Sequence, residues 1–147
     1  NDDYIVEILQ NVGMIDQGKG EEALQAARNQ DKDVVDVLCR DTELSEEDIL
    51  KTLAHQFGME TISLREQDIS QETLDMVSGE VAHRYRIIPV SLSGDTLTVA
   101  LADPLDIETL DSLRYILKRN VEGVVTTSEE IEIALSQYYP DTGPGMD

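Results

Sequence analysis

The hydrophobic period of this chain changes once along its length, and that change confines it to mixed architectures. Up to about residue 60 the apolar residues recur at helical spacing, as in Tyr4, Ile5, Ile8, Leu9 and Val12. Later, two β-prone runs at residues 86–92 and 96–101 flank Ser93, Gly94 and Asp95, which is a hairpin signal. The second run, TLTVAL, alternates with period two. A helix-period segment and a strand-period segment need different packing surfaces, so the expected fold class is α+β. It comprises a helical lobe of about four short helices over residues 1–60 and a small α/β lobe over residues 61–139. The second lobe is expected to hold a three- to four-stranded mixed sheet with flanking helices. Residues 140–147, with Pro140, Gly143, Pro144 and Gly145, read as a flexible linker, and the chain reads as a piece of a longer protein.

Within the first lobe, Gly13 is placed to end the first helix, and a second helix is expected from about Glu21 to Arg28. A third carries Val34, Val35, Val37 and Leu38. The fourth is expected to start at the N-cap Ser45, with Ile49, Leu50, Leu53 and Phe57 as its buried stripe and Gly58 closing it. A shift of 29 residues superposes the first helical pair on the second without a gap, setting Ile5 on Val34, Ile8 on Val37, Leu9 on Leu38 and Leu24 on Leu53. In the second lobe, residues 61–64 are β-prone and 70–77 helical. Ile107, Leu110, Leu113, Ile116 and Leu117 mark one helix face, expected to contribute about 1.5–3 kcal/mol per buried side chain. Asn120 is expected to end that helix, residues 121–126 to form a strand, and Ser128 to cap a last helix stopped by Pro140.

Charge narrows the functions. With 31 Asp and Glu against 11 Lys and Arg, the net charge is -20. Nucleic-acid binders gain affinity by neutralising phosphates with cations, so this balance argues against them and against anionic membranes. A partner protein is expected to present basic or apolar surface. No apolar run reaches the roughly 18–20 residues that span a bilayer, so no direct membrane insertion is expected. The single cysteine, Cys39, excludes an intrachain disulfide framework and reads as a small core residue.

Catalytic chemistry finds little support. There is no phosphate-binding loop; Gly18, Lys19 and Gly20 lack the remainder of that motif. His55 and His83 lie in different lobes with no nucleophile beside them, and each reads as a structural residue. Asp103, Asp106, Glu108 and Asp111 surround a helix start, where carboxylates favour the exposed N–H groups. They lack the glycine and terminal Glu of a helical-hand calcium loop, and a hydrolase built on them would need a carboxyl of raised pKa in a cleft. No catalytic residue, cofactor or metal ligand is therefore assigned.

Residues 85–139 do carry a joint pattern, formed by Tyr85, Pro89, Gly94, Leu97, Val99, Ala100, Ala102, Pro104, Asp106, Ser128 and Tyr139. It resembles the N-terminal domain of the type II secretion and type IV pilus assembly ATPases. The segment SEEDILKTLAHQFGMETISL, residues 45–64, is similar to the helical part of the same domain. The resemblance implies a non-catalytic docking domain, cytoplasmic and peripheral to the inner membrane. It implies two partners: the cytoplasmic part of an inner-membrane platform protein, and the chain's own C-terminal ATPase core, where ATP and Mg would bind.

Some members of that family bind cyclic di-GMP through two motifs of the form R-L-G-x-x-L-x-x-x-G-x-x-x-x-x-x-L-x-x-x-L-x-x-Q. Here the two Arg positions fall on Tyr4 and Asp33, the first glycines on Val6 and Val35, the later glycines on Gly13 and Thr42, and the Gln positions on Ala27 and Gln56. Only Gly13 and Gln56 keep the motif type at those positions. Arg is the group suited to a phosphate or a guanine base, and Asp33 reverses its charge, so this regulatory role is the alternative rather than the expectation.

Overall fold

The computed structural model describes residues 2–140. Most of the expected linker, from residue 141 on, lies outside the described residues. The chain divides into two compact units, one ending at Phe57 and the other beginning at Gly58.

The first unit is helical: α1 (Asp2–Asn11), α2 (Gln17–Gln30), α3 (Val34–Asp41) and α4 (Glu46–Gln56). Asp16 caps α2 by accepting the Lys19 N–H at 2.7 Å, and Ser45 caps α4 by accepting the Asp48 N–H at 3.1 Å. These two caps stand one repeat length apart, so the helix starts as well as the apolar positions follow the shift. The core is aliphatic, with Leu9, Val34, Val37, Leu38, Ile49 and Leu53 essentially out of solvent. Two expectations need correcting. Helix α2 starts at Gln17 rather than Glu21, because the Asp16 cap satisfies a first-turn N–H and Gly20 is needed where α1 passes close by. Phe57 lies beyond the last turn of α4 and is exposed, its ring edge-on to the exposed Tyr4 with centroids 6.1 Å apart.

In the second unit Gly58 takes a positive φ of 66° and turns the chain into an extended strap. A 3-10 turn at Leu64–Glu66 follows, then α5 (Gln71–Asp75), α6 (Gly79–Tyr85), β1 (Ile88–Ser93), β2 (Thr96–Leu101), α7 (Ile107–Leu117), β3 (Asn120–Val125) and α8 (Ser128–Tyr138). The sheet order is β1-β2-β3. Strands β1 and β2 form the antiparallel hairpin through Gly94 (φ 60°), and β2 and β3 run parallel across the α7 connection. The sheet is thus mixed and three-stranded, with Thr61 adding one parallel bridge to Val125. That bridge and the 3-10 turn replace the strand expected over residues 61–64. Both sheet edges are guarded: β1 carries Pro89 and an adjacent bulge, and the β3 edge is met by the strap and by Arg114 Nε on the Val121 carbonyl at 3.0 Å.

The core of this unit joins Ile87, Ile88, Leu97, Val99, Val121, Leu113, Ile131 and Leu135. Helix α6 was not expected from sequence; Ser78 caps it by accepting the Val81 N–H. Helix α7 ends at Lys118, in the left-handed conformation (φ 57°), and Asn120 opens β3 instead of closing the helix. Helix α8 is capped by Thr127 rather than Ser128. The five-residue apolar face of α7 is also corrected. Thr109 and Leu113 point inward, Leu110 and Leu117 are half-buried, and Ile107 and Ile116 are exposed. Leu110 packs so close to Gly123 that a Cβ there would sit 3.1 Å from its Cδ1, which holds the helix on that line and leaves its flanks in water.

No helix among the described residues is long and apolar enough to cross a membrane.

Candidate functional site

The positions that resemble the nucleotide motif lie in the first unit, and most have a local structural occupation. Tyr4 packs on Phe57. Asp33 holds the N-cap position of α3. Thr42 closes α3, its Oγ1 donating to the Leu38 carbonyl at 2.6 Å and accepting the Leu44 N–H at 3.1 Å. Gly13 takes φ 83° just past α1, and a side chain there would meet nothing, so its need is conformational. Gln56 is the exposed last residue of α4, and Ala27 is buried.

The first copy departs from the motif in a coupled way. Where the motif has its first Gly, Val6 is 3% exposed, and where it has the Leu that follows its second Gly, the chain has Gly20. A Cβ added to Gly20 would fall 2.7 Å from Val6 Cγ1 and 2.3 Å from Gln10 Nε2. Bulk has moved from α2 to α1, and the two helices close on each other there.

Beside this region an open groove of about 370 Å³ runs between α2 and α3, lined by Lys19, Asn29, Gln30, Asp41 and Thr42 among others. Arg40 is committed locally. It binds Asp41 through two hydrogen bonds of 2.8 and 3.0 Å and donates to Gln30 at 2.6 Å. That hydrogen bonding holds the Asp41 carboxyl below its ordinary range. Cys39, half-buried, has its thiol pKa raised, first by burial and then by Glu46 and Asp36, the reverse of an activated nucleophile.

In the second unit the acidic cluster has structural work. Asp106 caps α7, accepting the Thr109 N–H at 3.1 Å and its hydroxyl at 2.6 Å. Asp103 accepts the Leu105 N–H at 2.9 Å, and Asp111 pairs with Arg114 at 2.7 Å. His83 is a fastening rather than a base: Nε2 lies 2.7 Å from the Tyr139 carbonyl at the end of α8. The Tyr139 hydroxyl donates to the Leu74 carbonyl at 2.7 Å, and burial, with Asp75 second, pushes its pKa up to about 12. Glu130 accepts the Leu64 N–H at 2.6 Å, tying α8 to the 3-10 turn. Sequence reasoning missed these three ties, since their partners lie 56 to 66 positions away.

Comparison with known proteins places this arrangement. The MshEN domain model matches residues 57–145. The chain is 31% identical over 104 residues to the type IV pilus assembly ATPase PilB of Myxococcus xanthus, covering 71% of this chain and 18% of that protein. It is 26% identical over 137 residues to PilB of Thermus thermophilus, covering 92% of this chain and 15% of that one. It therefore spans less than a quarter of the length of the curated relatives it matches. Among solved structures, one of MshE with cdg superposes with a TM-score of 0.83 at 26% identity, over 92% of this chain and 98% of the other. The N-terminal domain of XpsE superposes at 0.71 and 20% identity over 92% and 93%, a likeness of fold. The chain belongs to the MshEN domain family, and the matched stretch is that domain rather than an ATPase core.

Proposed function

We propose that this MshEN domain is a non-catalytic docking module of a type IV pilus or type II secretion ATPase. It binds the cytoplasmic part of an inner-membrane platform protein and so brings the motor to the membrane. The observation that carries this reading, against nucleotide sensing, is the coupled exchange at Val6 and Gly20 together with Tyr4 and Asp33 at the two Arg positions. The helical scaffold persists, while groups suited to a phosphate and a guanine do not. A dinucleotide approaching this unit also meets the field of a chain carrying -20.

Removing residues 1–139 from the full-length protein tests the docking role. Loss of membrane association and of piliation or secretion is the expected result; if both persist, the domain does not dock the motor. The regulatory alternative is tested by calorimetric titration with cyclic di-GMP, where no heat of binding is expected at micromolar nucleotide. Saturable binding in that range would restore the sensor role.

A further inference from the structure

The chain's charge is acidic, yet the C-terminal end of α7 is not. Of its 11 cations, Arg114, Lys118 and Arg119 fall within six residues at the C-terminal end of α7. Arg114 is occupied by Asp111 and by the Val121 carbonyl. Lys118 and Arg119 stand in no ion pair among the described residues; the same holds for Lys19, Lys32, Arg65 and Arg84, but only Lys118 and Arg119 are consecutive in the sequence. Arg119 is half-buried and its Nε is shielded from solvent with no acceptor.

Two exposed side chains lie in the last turn of the same helix. Tyr115 is 85% exposed and Ile116 is 42% exposed. Tyr115 and Ile116 lie in the last turn of α7, Lys118 is its left-handed cap and Arg119 the residue after it. The left-handed turn at Lys118 ends the helix at this point, so the patch lies on a rigid helix end beside the start of β3. An exposed Tyr and Ile framed by unpaired cations has the composition of an interface centre, where Tyr and Arg carry most of the binding energy.

We infer that this end of α7 is the docking surface, and that its occupant is a protein segment bearing carboxylates around an apolar side chain. The inference rests on the docking role proposed above and names its place and partner chemistry. A membrane or nucleic acid fits less well, because an extended polyanion meets the acidic remainder of the chain, whereas a few carboxylates meet the cations within one screening length of roughly 8 Å. The partner's local charge is thus opposite to what the chain's total charge implies.

The test uses the full-length ATPase in its own cells: wild type, a deletion of residues 1–139, K118E/R119E, Y115A, and the control R65E in the same unit. The expected result is that the deletion, K118E/R119E and Y115A each lower the membrane-bound fraction by about tenfold or more, with R65E within twofold of wild type and thermal unfolding of the point variants unchanged. If the deletion abolishes membrane association while K118E/R119E and Y115A do not, docking stands and this surface is refuted. If the deletion has no effect, the docking role itself falls, and this inference with it. Purified wild-type protein is also sedimented with phosphatidylglycerol vesicles free of protein. Binding that K118E/R119E abolishes would assign the patch to lipid phosphate and overturn the protein partner; no binding is expected.

Discussion

Replacing Gly20 by Ala separates two forces that act in opposite directions on one methyl group. In a helix interior Ala is favoured over Gly by about 1 kcal/mol, so helix propensity alone makes G20A stabilising. The contact with α1 opposes this. The new Cβ would stand 2.3 Å from Gln10 Nε2 and 2.7 Å from Val6 Cγ1. Gln10 ends a flexible, half-buried side chain and swings away at small cost. Val6 does not: a β-branched side chain in a helix has one strongly preferred χ1, and this one is buried. Relief therefore requires α1 and α2 to separate, and overpacking of this kind costs about 1–3 kcal/mol, or more where backbone must move.

The net expectation is a destabilisation of up to about 2 kcal/mol, measured by urea unfolding followed by far-UV circular dichroism. For a chain of this size that corresponds to a fall of up to about 8 °C in melting temperature. The double variant V6A/G20A identifies the cause. V6A alone costs about 2 kcal/mol for two buried methyl groups and the space they leave. In the pair, the methyl group introduced by G20A fills that space, so the combined loss should fall short of the sum by at least about 1 kcal/mol. A stabilised G20A, or strict additivity, would refute the close packing and with it the argument that bulk exchanged between these two positions.

Y139F removes the hydroxyl that donates to the Leu74 carbonyl and should cost about 1–2 kcal/mol in thermal unfolding. The folded-state pKa of Tyr139, about 12, lies above its ordinary value of 10, so its contribution is complete below pH 10 and is lost as the pH rises through 12; an alkaline titration of stability should show that decline in wild type and a smaller one in Y139F. D106A, which uncaps α7, should lower stability by about 0.5–2 kcal/mol, and D106N by less, by the same unfolding measurement. Cys39, with its pKa raised, should react with a disulfide reagent at pH 8 more slowly than free cysteine, and a rate equal to free cysteine would contradict the burial and the carboxylates around it.

The change of hydrophobic period was enough to identify an α+β chain. The Ser93–Gly94–Asp95 turn located the hairpin, and Ser45 marked the start of α4, because each is a local device acting within a few residues. The repeat aligned apolar positions only; that α2 and α4 also start in register emerged with the Asp16 cap, since the sequence places the start of α2 at about Glu21. The absence of Arg at Tyr4 and Asp33 was equally legible, so the case against nucleotide binding began in the sequence.

What escaped were decisions made between distant segments. Apolar spacing assigned Phe57, Ile107 and Ile116 to buried faces, but periodicity states only which side chains share a face and not how much of that face a neighbour covers. A three-stranded sheet with Gly123 under Leu110 fixes where α7 lies, and its flanks are left in water. The ties of His83, Glu130 and Tyr139 could not be read until folding brought these residues to backbone groups on other elements. Sequence by itself determined the class of fold, the hairpin turn, the start of α4 and the missing arginines, all consequences of short-range geometry and charge. Only the tertiary structure decided that Val6 and Gly20 share one space and that Tyr115 is left exposed, because burial is a property of what comes to lie alongside.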